Sequence, residues 1–351
     1  MVHNRLRAAG RYVKRLLPSL VIIFYSVSAR AQLGETERLK KQLETENTDT
    51  VAWLHKGFLN ISVNEGFLHN WAAGGELGST TVNGLFNGNV TRLYHNQVWS
   101  NTLDLAYSLY YAYSNNFVPR KIDDRIDFTS KYGIRTSASR DFFLTGLLNF
   151  KSQFTKGYDY TAERWDTFST SRFLSPAYIT AAVGVEFRKG TDRSIFLSPF
   201  ANRLILAGRY YTSRLPEGAF GIPNGRTNAM QLGAYLSARY QVALGKNAMF
   251  KTRLDLYANY LAKDKKDDTG RIVSRDSPGN IDVMSDNLFS FRISRFISVT
   301  LGATLIYDND IPYVSTYTDA QGATRPKREP GKGLGWWQVK QLFALGFEYR
   351  F

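Results

Sequence analysis

The sequence predicts an all-β protein: a transmembrane antiparallel β-barrel of the outer-membrane type, with about 12 strands. Three observations carry this. Apolar and polar residues alternate with period two over runs of about ten residues. The gaps between these runs are alternately short and long. The last residues, ALGFEYRF at 344–351, form a strand with an aromatic face and end on Phe351.

The alternation is clearest in three segments. In FKTRLDLYANYL (250–261), Phe250, Leu254, Leu256, Ala258 and Tyr260 share one face. Lys251, Arg253, Asp255, Tyr257 and Asn259 share the other. MQLGAYLSARYQV (230–242) sets Met230, Leu232, Leu236, Tyr240 and Val242 against Gln231, Tyr235, Ser237, Arg239 and Gln241. ISVTLGATLIYD (297–308) sets Val299, Leu301, Ala303, Leu305 and Tyr307 against Thr300, Gly302, Thr304 and Asp308. Successive side chains of a strand point to opposite faces. Charges at every second position are costly in a dry core, so the apolar face is read as outward, toward lipid.

Strands are placed near 54–66, 79–93, 97–113, 122–138, 141–156, 173–188, 193–204, 229–242, 247–262, 280–294, 296–308 and 335–351. Every second gap is short (94–96, 139–140, 189–192, 243–246 and 295). The gaps 158–172, 205–228, 263–279 and 309–334 are long. Outer-membrane barrels have short periplasmic turns and long external loops, and an even strand count puts both ends of the barrel on the periplasmic side. Gly346, Tyr349 and Phe351 sit where a terminal assembly signal wants them. Ala344 holds a position that is usually polar. Trp99, Tyr107, Tyr111, Trp165, Trp336, Trp337 and Tyr349 lie toward strand ends, where aromatic girdles form.

The N-terminal segment reads as a signal peptide over residues 1–31. Arg5, Arg7, Arg11, Lys14 and Arg15 precede an apolar stretch at 16–28, and Ala29-Arg30-Ala31 offers a cleavage site. The apolar stretch is short for a membrane span, which needs about 20 residues. Residues 32–52 form a polar periplasmic extension, and residues 53–351 the barrel. Residues 1–31 carry six cations and no acid, so the net charge of +15 becomes +9 after cleavage. That charge admits anionic partners such as lipopolysaccharide; nucleic acid is a poor partner for an exported chain. There is no cysteine, which excludes thiolate metal sites, disulfides and a lipoprotein anchor. The mean hydropathy of −0.31 is too polar for a helical membrane protein.

Parity places Arg125, Lys131, Arg135, Lys151, Arg239, Lys251, Arg253, Arg292 and Arg350 in the lumen. The acids Asp104, Asp127, Glu186, Asp255, Asp286 and Glu348 join them. Two readings follow. Either the charges line a narrow pore with a positive bias, favouring small anionic solutes, or they form a cross-lumen ion-pair network that stiffens and nearly fills the barrel. The first makes the protein a channel. The second makes it a non-conducting scaffold or accessory subunit of a larger envelope complex.

Enzymatic chemistry finds little support. His55 and His95 belong to the short-turn end and His69 to the other. A phospholipase pair of His95 with Ser100 fails because His95 sits in a turn and Ser100 faces the lumen. His69 with Glu76 is a thin case for an external protease. DKKDDTG (264–270) lacks the D-x-D-x-D-G spacing of a calcium loop. GKGLG (331–335) lacks the spacing of a phosphate loop. No metal site and no cofactor is expected. The expected partners are outer-membrane lipid and lipopolysaccharide, the barrel-assembly machinery and other envelope proteins.

Five segments occur in order: NWAAGGE (70–76), KIDDRIDFTSKYG (121–133), SQFTKGY (152–158), RFLSPAYI (172–179) and LIYDND (305–310). Together they resemble an uncharacterised family, a domain of unknown function, of outer-membrane β-barrel proteins from the Bacteroidota. The resemblance spans about 53–351, with Ser152 a mild departure. It implies architecture and location, and brings no reaction and no site residues.

Overall fold

The computed structural model describes residues 52–68, 76–136, 141–160, 165–190, 192–214, 218–266, 270, 272–274, 276–308, 314–318, 324–328 and 337–351. The signal peptide, its cleavage site, nearly all of the polar extension, His69, Trp336 and the GKGLG segment lie outside the described residues.

Twelve antiparallel strands close into one barrel. In chain order they are β1 (Ala52–Phe67), β2 (Gly78–Tyr94), β3 (Gln97–Ala112), β4 (Arg120–Arg135), β5 (Phe142–Ser152), β6 (Ala177–Lys189), β7 (Arg193–Leu206), β8 (Asn228–Leu244), β9 (Ala248–Asn259), β10 (Ile281–Arg292), β11 (Ile297–Tyr307) and β12 (Trp337–Arg350). Each pairs with the next, and β12 returns to β1. Further short strands, Val314–Thr318 with Thr324–Arg328 among them, form hairpins outside the barrel. No helix of the described residues is long and apolar enough to cross a membrane.

Of the strands that stop short of their expected ends, three do so for a local reason. β5 ends at Ser152 because the Asp124 carboxylate takes the backbone N–H groups of Phe154 (2.6 Å) and Thr155 (2.9 Å) that a longer ladder would use. β6 begins only at Ala177, because Arg172 and Ser175 exchange two backbone bonds in a tight turn before Pro176, which has no N–H to give. β9 ends at Asn259, whose side-chain oxygen accepts the Leu261 N–H (3.0 Å) as in an Asx turn. In β7 the register shifts against both neighbours around Pro199. The inward side chains change there from even to odd numbers: Phe196 and Ser198 before, Ala201 and Ile205 after. A bulge is where a strand tolerates proline.

The seam is built by small residues and the terminal aromatic. Gly57 N–H donates to the Phe351 carbonyl (2.8 Å), and Phe351 N–H returns a bond to Gly57 O (3.0 Å). The Phe351 ring lies over Gly57 and stacks with Phe86 and Tyr349. A side chain at Gly57 would meet that ring. One at Gly346 would run into the Ile61 carbonyl of β1.

The outward face is apolar. Val183, Leu197, Phe200, Met230, Leu144 and Phe343 are among the side chains that stand exposed there. Apolar side chains dominate this face, with Gln341 and the Thr252–Asn287 pair among its polar interruptions; such a surface suits contact with lipid, since water-exposed proteins keep apolar patches small. The interior is not simply polar. Leu147, Ala182, Phe196, Ala201, Tyr235 and Tyr257 pack together inside the β5–β9 side. Phe58, Leu85, Ala106 and Met249, with Leu288 and Leu342, fill the opposite side.

Candidate functional site

Between these two apolar clusters, charged side chains cross the lumen. The wall formed by β3, β4 and β5 faces the wall formed by β8, β9 and β10. Arg253 Nη1 on β9 donates to Asp127 Oδ2 on β4 at 2.8 Å, and its Nη2 lies 2.7 Å from Asp255 Oδ2. Lys151 on β5 reaches Asp255 at 3.2 Å. Arg125 on β4 pairs with Asp286 on β10 at 2.8 Å, and Thr304 holds the other oxygen of Asp286 at 2.7 Å. Lys251 on β9 reaches Asp104 on β3 at 3.4 Å, and Asn87 also donates to Asp104. Arg239 on β8 donates to the hydroxyls of Thr102 (3.3 Å) and Thr129 (3.1 Å). Strands this far apart in the sheet can touch only across the interior.

The groups at the centre are removed from solvent: Asp127 is 2% exposed, Asp255 5% and Arg253 7%. An isolated buried charge is costly, and pairing with added hydrogen bonds offsets the cost. Asp127 meets this condition, with Asn149 Nδ2 (2.6 Å) as well as Arg253. So does Asp255, with Ser237 Oγ (2.8 Å). Of the two readings of the lumenal charges, these central pairs fit the cross-lumen network, while Lys151, Arg125, Asp286, Lys251 and Asp104 around them keep 21–30% of their side chains exposed.

The other sequence-derived candidates divide by level. Lys131 pairs with Glu186 at 3.0 Å, both buried, with Arg188 on the same carboxylate at 3.2 Å. The Lys131 ammonium also lies over Phe196. Arg135 stacks on Phe143, and Arg292 Nη2 donates to the Lys246 carbonyl (3.2 Å) in a short turn. Glu348 accepts from Ser290 (2.6 Å) and from Arg350 (2.5 Å). Gly346 and Phe351 lie in the seam described above, and Tyr349 stacks on Phe351. Among the proposed catalytic pairs, Ser100 Oγ faces inward, 2.6 Å from Thr91 Oγ1, and His95 packs on Tyr94 in the β2–β3 turn. Glu76 accepts from the backbone and side chain of Ser114 (2.9 and 2.5 Å). These bonds hold its carboxyl below the usual carboxylate range.

Two more cross-lumen pairs were not singled out from the sequence: Lys340 with Asp123 (2.7 Å) and Arg203 with Asp282 (2.6 Å). Strict alternation along β12 and β10 points to Lys340 and Asp282. Arg203 follows the bulge at Pro199, where counting by twos from Phe196 gives the wrong face.

Two cavities flank the barrier. One, of about 230 Å³, lies at the long-loop end and is lined by Tyr178, Tyr235, Tyr257, Tyr307, Arg203 and Asp282 among others. The other, of about 70 Å³, lies against the β1–β2 and β10–β12 side and includes Asp104, Arg125, Lys251, Arg253, Asp286 and Lys340 in its lining. Five side chains at the short-turn rim are basic: Arg92, Lys189, Arg193, Lys246 and Arg295. Arg92, Arg193 and Arg295 each sit over an aromatic ring, Tyr94, Tyr240 and Phe296.

Residues 63–158 match the family model described as "Protein of unknown function (DUF3078)". The matched segment covers β2, β3, β4 and β5 and part of β1. It takes in three of the five motif segments that carry the resemblance, 70–76, 121–133 and 152–158. None of the curated proteins compared matches the chain. Among solved structures, the chain is similar to the translocator domain of autotransporter NalP from Neisseria meningitidis. Identity there is 11%, coverage 92% of this chain and 96% of that one, and the TM-score 0.32. It is also similar to a TodX deltaS2S3 mutant, a monoaromatic hydrocarbon channel (9% identity, 92% and 94% coverage, TM-score 0.29). A third is OmpT of Vibrio cholerae in trimer form (10% identity, 86% and 100% coverage, TM-score 0.29).

Proposed function

We propose that this protein is an integral outer-membrane barrel that works as a non-conducting scaffold or accessory subunit of an envelope complex, rather than as a solute channel. The observation that carries this reading is the cluster of buried Arg253, Asp127 and Asp255 with half-buried Lys151, which ties opposite walls together between two packed apolar clusters. A diffusion path needs groups that bind a solute weakly and release it; charges locked in mutual pairs across the lumen do not provide one. The working surfaces are then the two ends: long loops on one, a basic rim with stacked arginines on the other.

Export through a signal peptide cleaved after Ala31 accords with this placement, as does an outer-membrane location with lipid and lipopolysaccharide as neighbours. Phe351 at the seam suits a terminal signal read by the assembly machinery. The position of His95 in a turn and the inward position of Ser100 favour a protein without hydrolase activity.

The test is electrical. Purified, heat-modifiable protein in planar bilayers is expected to insert without unitary steps. Reproducible ohmic steps with anion preference would restore the channel for small anionic solutes and remove the scaffold reading.

A further inference from the structure

The charge balance of the lumen barrier is not even. Six cations meet there: Arg125, Lys151, Arg239, Lys251, Arg253 and Lys340. Five carboxylates answer them: Asp104, Asp123, Asp127, Asp255 and Asp286. Arg125, Lys251 and Lys340 each take one carboxylate, and Arg253 and Lys151 share Asp127 and Asp255. Arg239 is left over. It donates only to two threonine hydroxyls and has no carboxylate at ion-pair distance among the described residues. Arg239 is half-buried, and the side chains of Arg125, Asp286, Lys251, Asp104 and Lys340 keep 21–38% of their surface; a net positive charge of one in such a partly desolvated region favours an anion beside it.

The same region holds unmet donors. The Nε–H groups of Arg125, Arg239 and Arg253 are buried and reach no acceptor among the described residues. Buried donors are almost always satisfied. Arg125 and Arg253 both line the cavity of about 70 Å³, where Lys251 and Lys340 stand with them. Four cations line that space against three carboxylates, and apolar side chains (Phe58, Leu85, Leu288 and Leu342) close its other walls. One water needs roughly 10–15 Å³ of such space, so the cavity admits a small ion with a few waters.

We infer that this cavity is a structural binding site for one small monovalent inorganic anion of the halide class, held by the guanidinium groups of Arg125 and Arg253 and compensating the excess charge brought by Arg239. The inference does not depend on the scaffold reading: the site can be filled whether or not the barrel conducts.

The test uses the full-length refolded barrel and two salts at equal ionic strength, sodium bromide and sodium gluconate. The melting temperature is expected to rise saturably in bromide by about 2–4 °C over gluconate. Crystals grown in bromide are expected to show an anomalous peak beside Arg253. Arg239→Gln keeps a hydrogen-bonding group for Thr102 and Thr129 while making the barrier neutral, and is expected to lose the bromide shift. Equal melting in the two salts, or a bromide data set without density in the cavity, overturns the assignment in favour of water alone. An R239Q protein that keeps the full shift overturns the charge argument that underlies it.

Discussion

Replacing Arg253 with methionine separates a packed lumen from a wet one by magnitude alone. Methionine fills much of the arginine's volume but carries no charge. It strips Asp127 and Asp255 of contacts at 2.8 and 2.7 Å. Both carboxylates are almost wholly buried, and neither can turn toward bulk water without disturbing a wall. Removing one partner of a buried pair costs about 3–5 kcal/mol, most of it the penalty of the charge left behind. Were the lumen water-filled, the same change would cost about 0–1 kcal/mol, as for exposed pairs. The assay is equilibrium guanidinium unfolding of the barrel in lipid vesicles, followed by tryptophan fluorescence. R253M is expected to lose about 3–5 kcal/mol. R253M/D127N is expected to recover much of that loss: the neutral amide that replaces the Asp127 carboxylate keeps an acceptor for Asn149, while Asp255 keeps Lys151 and Ser237. A single-variant loss below about 1 kcal/mol, with no recovery in the double variant, would refute the packed-lumen reasoning.

Three further outcomes are expected. Phe351→Ser removes the ring over Gly57 and the stack with Phe86, so folded yield judged by heat-modifiable gel mobility should fall well below that of a change in the 264–270 loop; equal yields would show the ending to be incidental. Gly346→Val puts a branched side chain against the Ile61 carbonyl at the seam and should abolish closure, whereas Gly146→Val, at a position where a Cβ meets nothing, should leave the heat-modifiable band intact. Glu76 binds Ser114 only as a carboxylate, and its folded pKa is depressed. Its contribution is therefore present above the unfolded value of about 4.3 and lost as pH falls through the lower folded value. Proteolysis between β3 and β4, by an acid protease at low pH and a neutral protease at about pH 7 dosed to equal activity, should rise at low pH in the wild type and be raised already at neutral pH in Glu76→Ala.

Much of this architecture is legible in the sequence because one rule, alternation against lipid, governs every strand. The twelve strands and their short turns follow from it, and so does the face on which Arg239, Lys251, Arg253 and Asp255 lie. The rule fails where side chains compete with the ladder. Asp124 ends β5 by taking two backbone donors, and nothing in the local pattern of residues 141–156 announces a carboxylate from β4. The rule also fails at the Pro199 bulge, which hides Arg203. Which acid meets which base depends on distances across the lumen that no single strand encodes.

Whether the lumen is open could not be read from charge alone, because the same inward residues suit both outcomes. The residues that favour the scaffold reading are the apolar ones that share the inward face. Phe58, Leu85 and Met249 on one side, and Leu147, Phe196 and Tyr257 on the other, occupy positions of the same parity as the charges. A water-filled pore would leave such side chains exposed to solvent on the wrong face, at a cost of roughly 25 cal/mol per Å² of apolar surface. Clustering them takes both sides of the lumen and leaves the charges only the middle, where pairing across the gap is the arrangement that removes them from water together. The ion pairs and the apolar clusters are thus one packing solution. A variant that opens the barrel has to break both, so removing the charges alone should leave it shut.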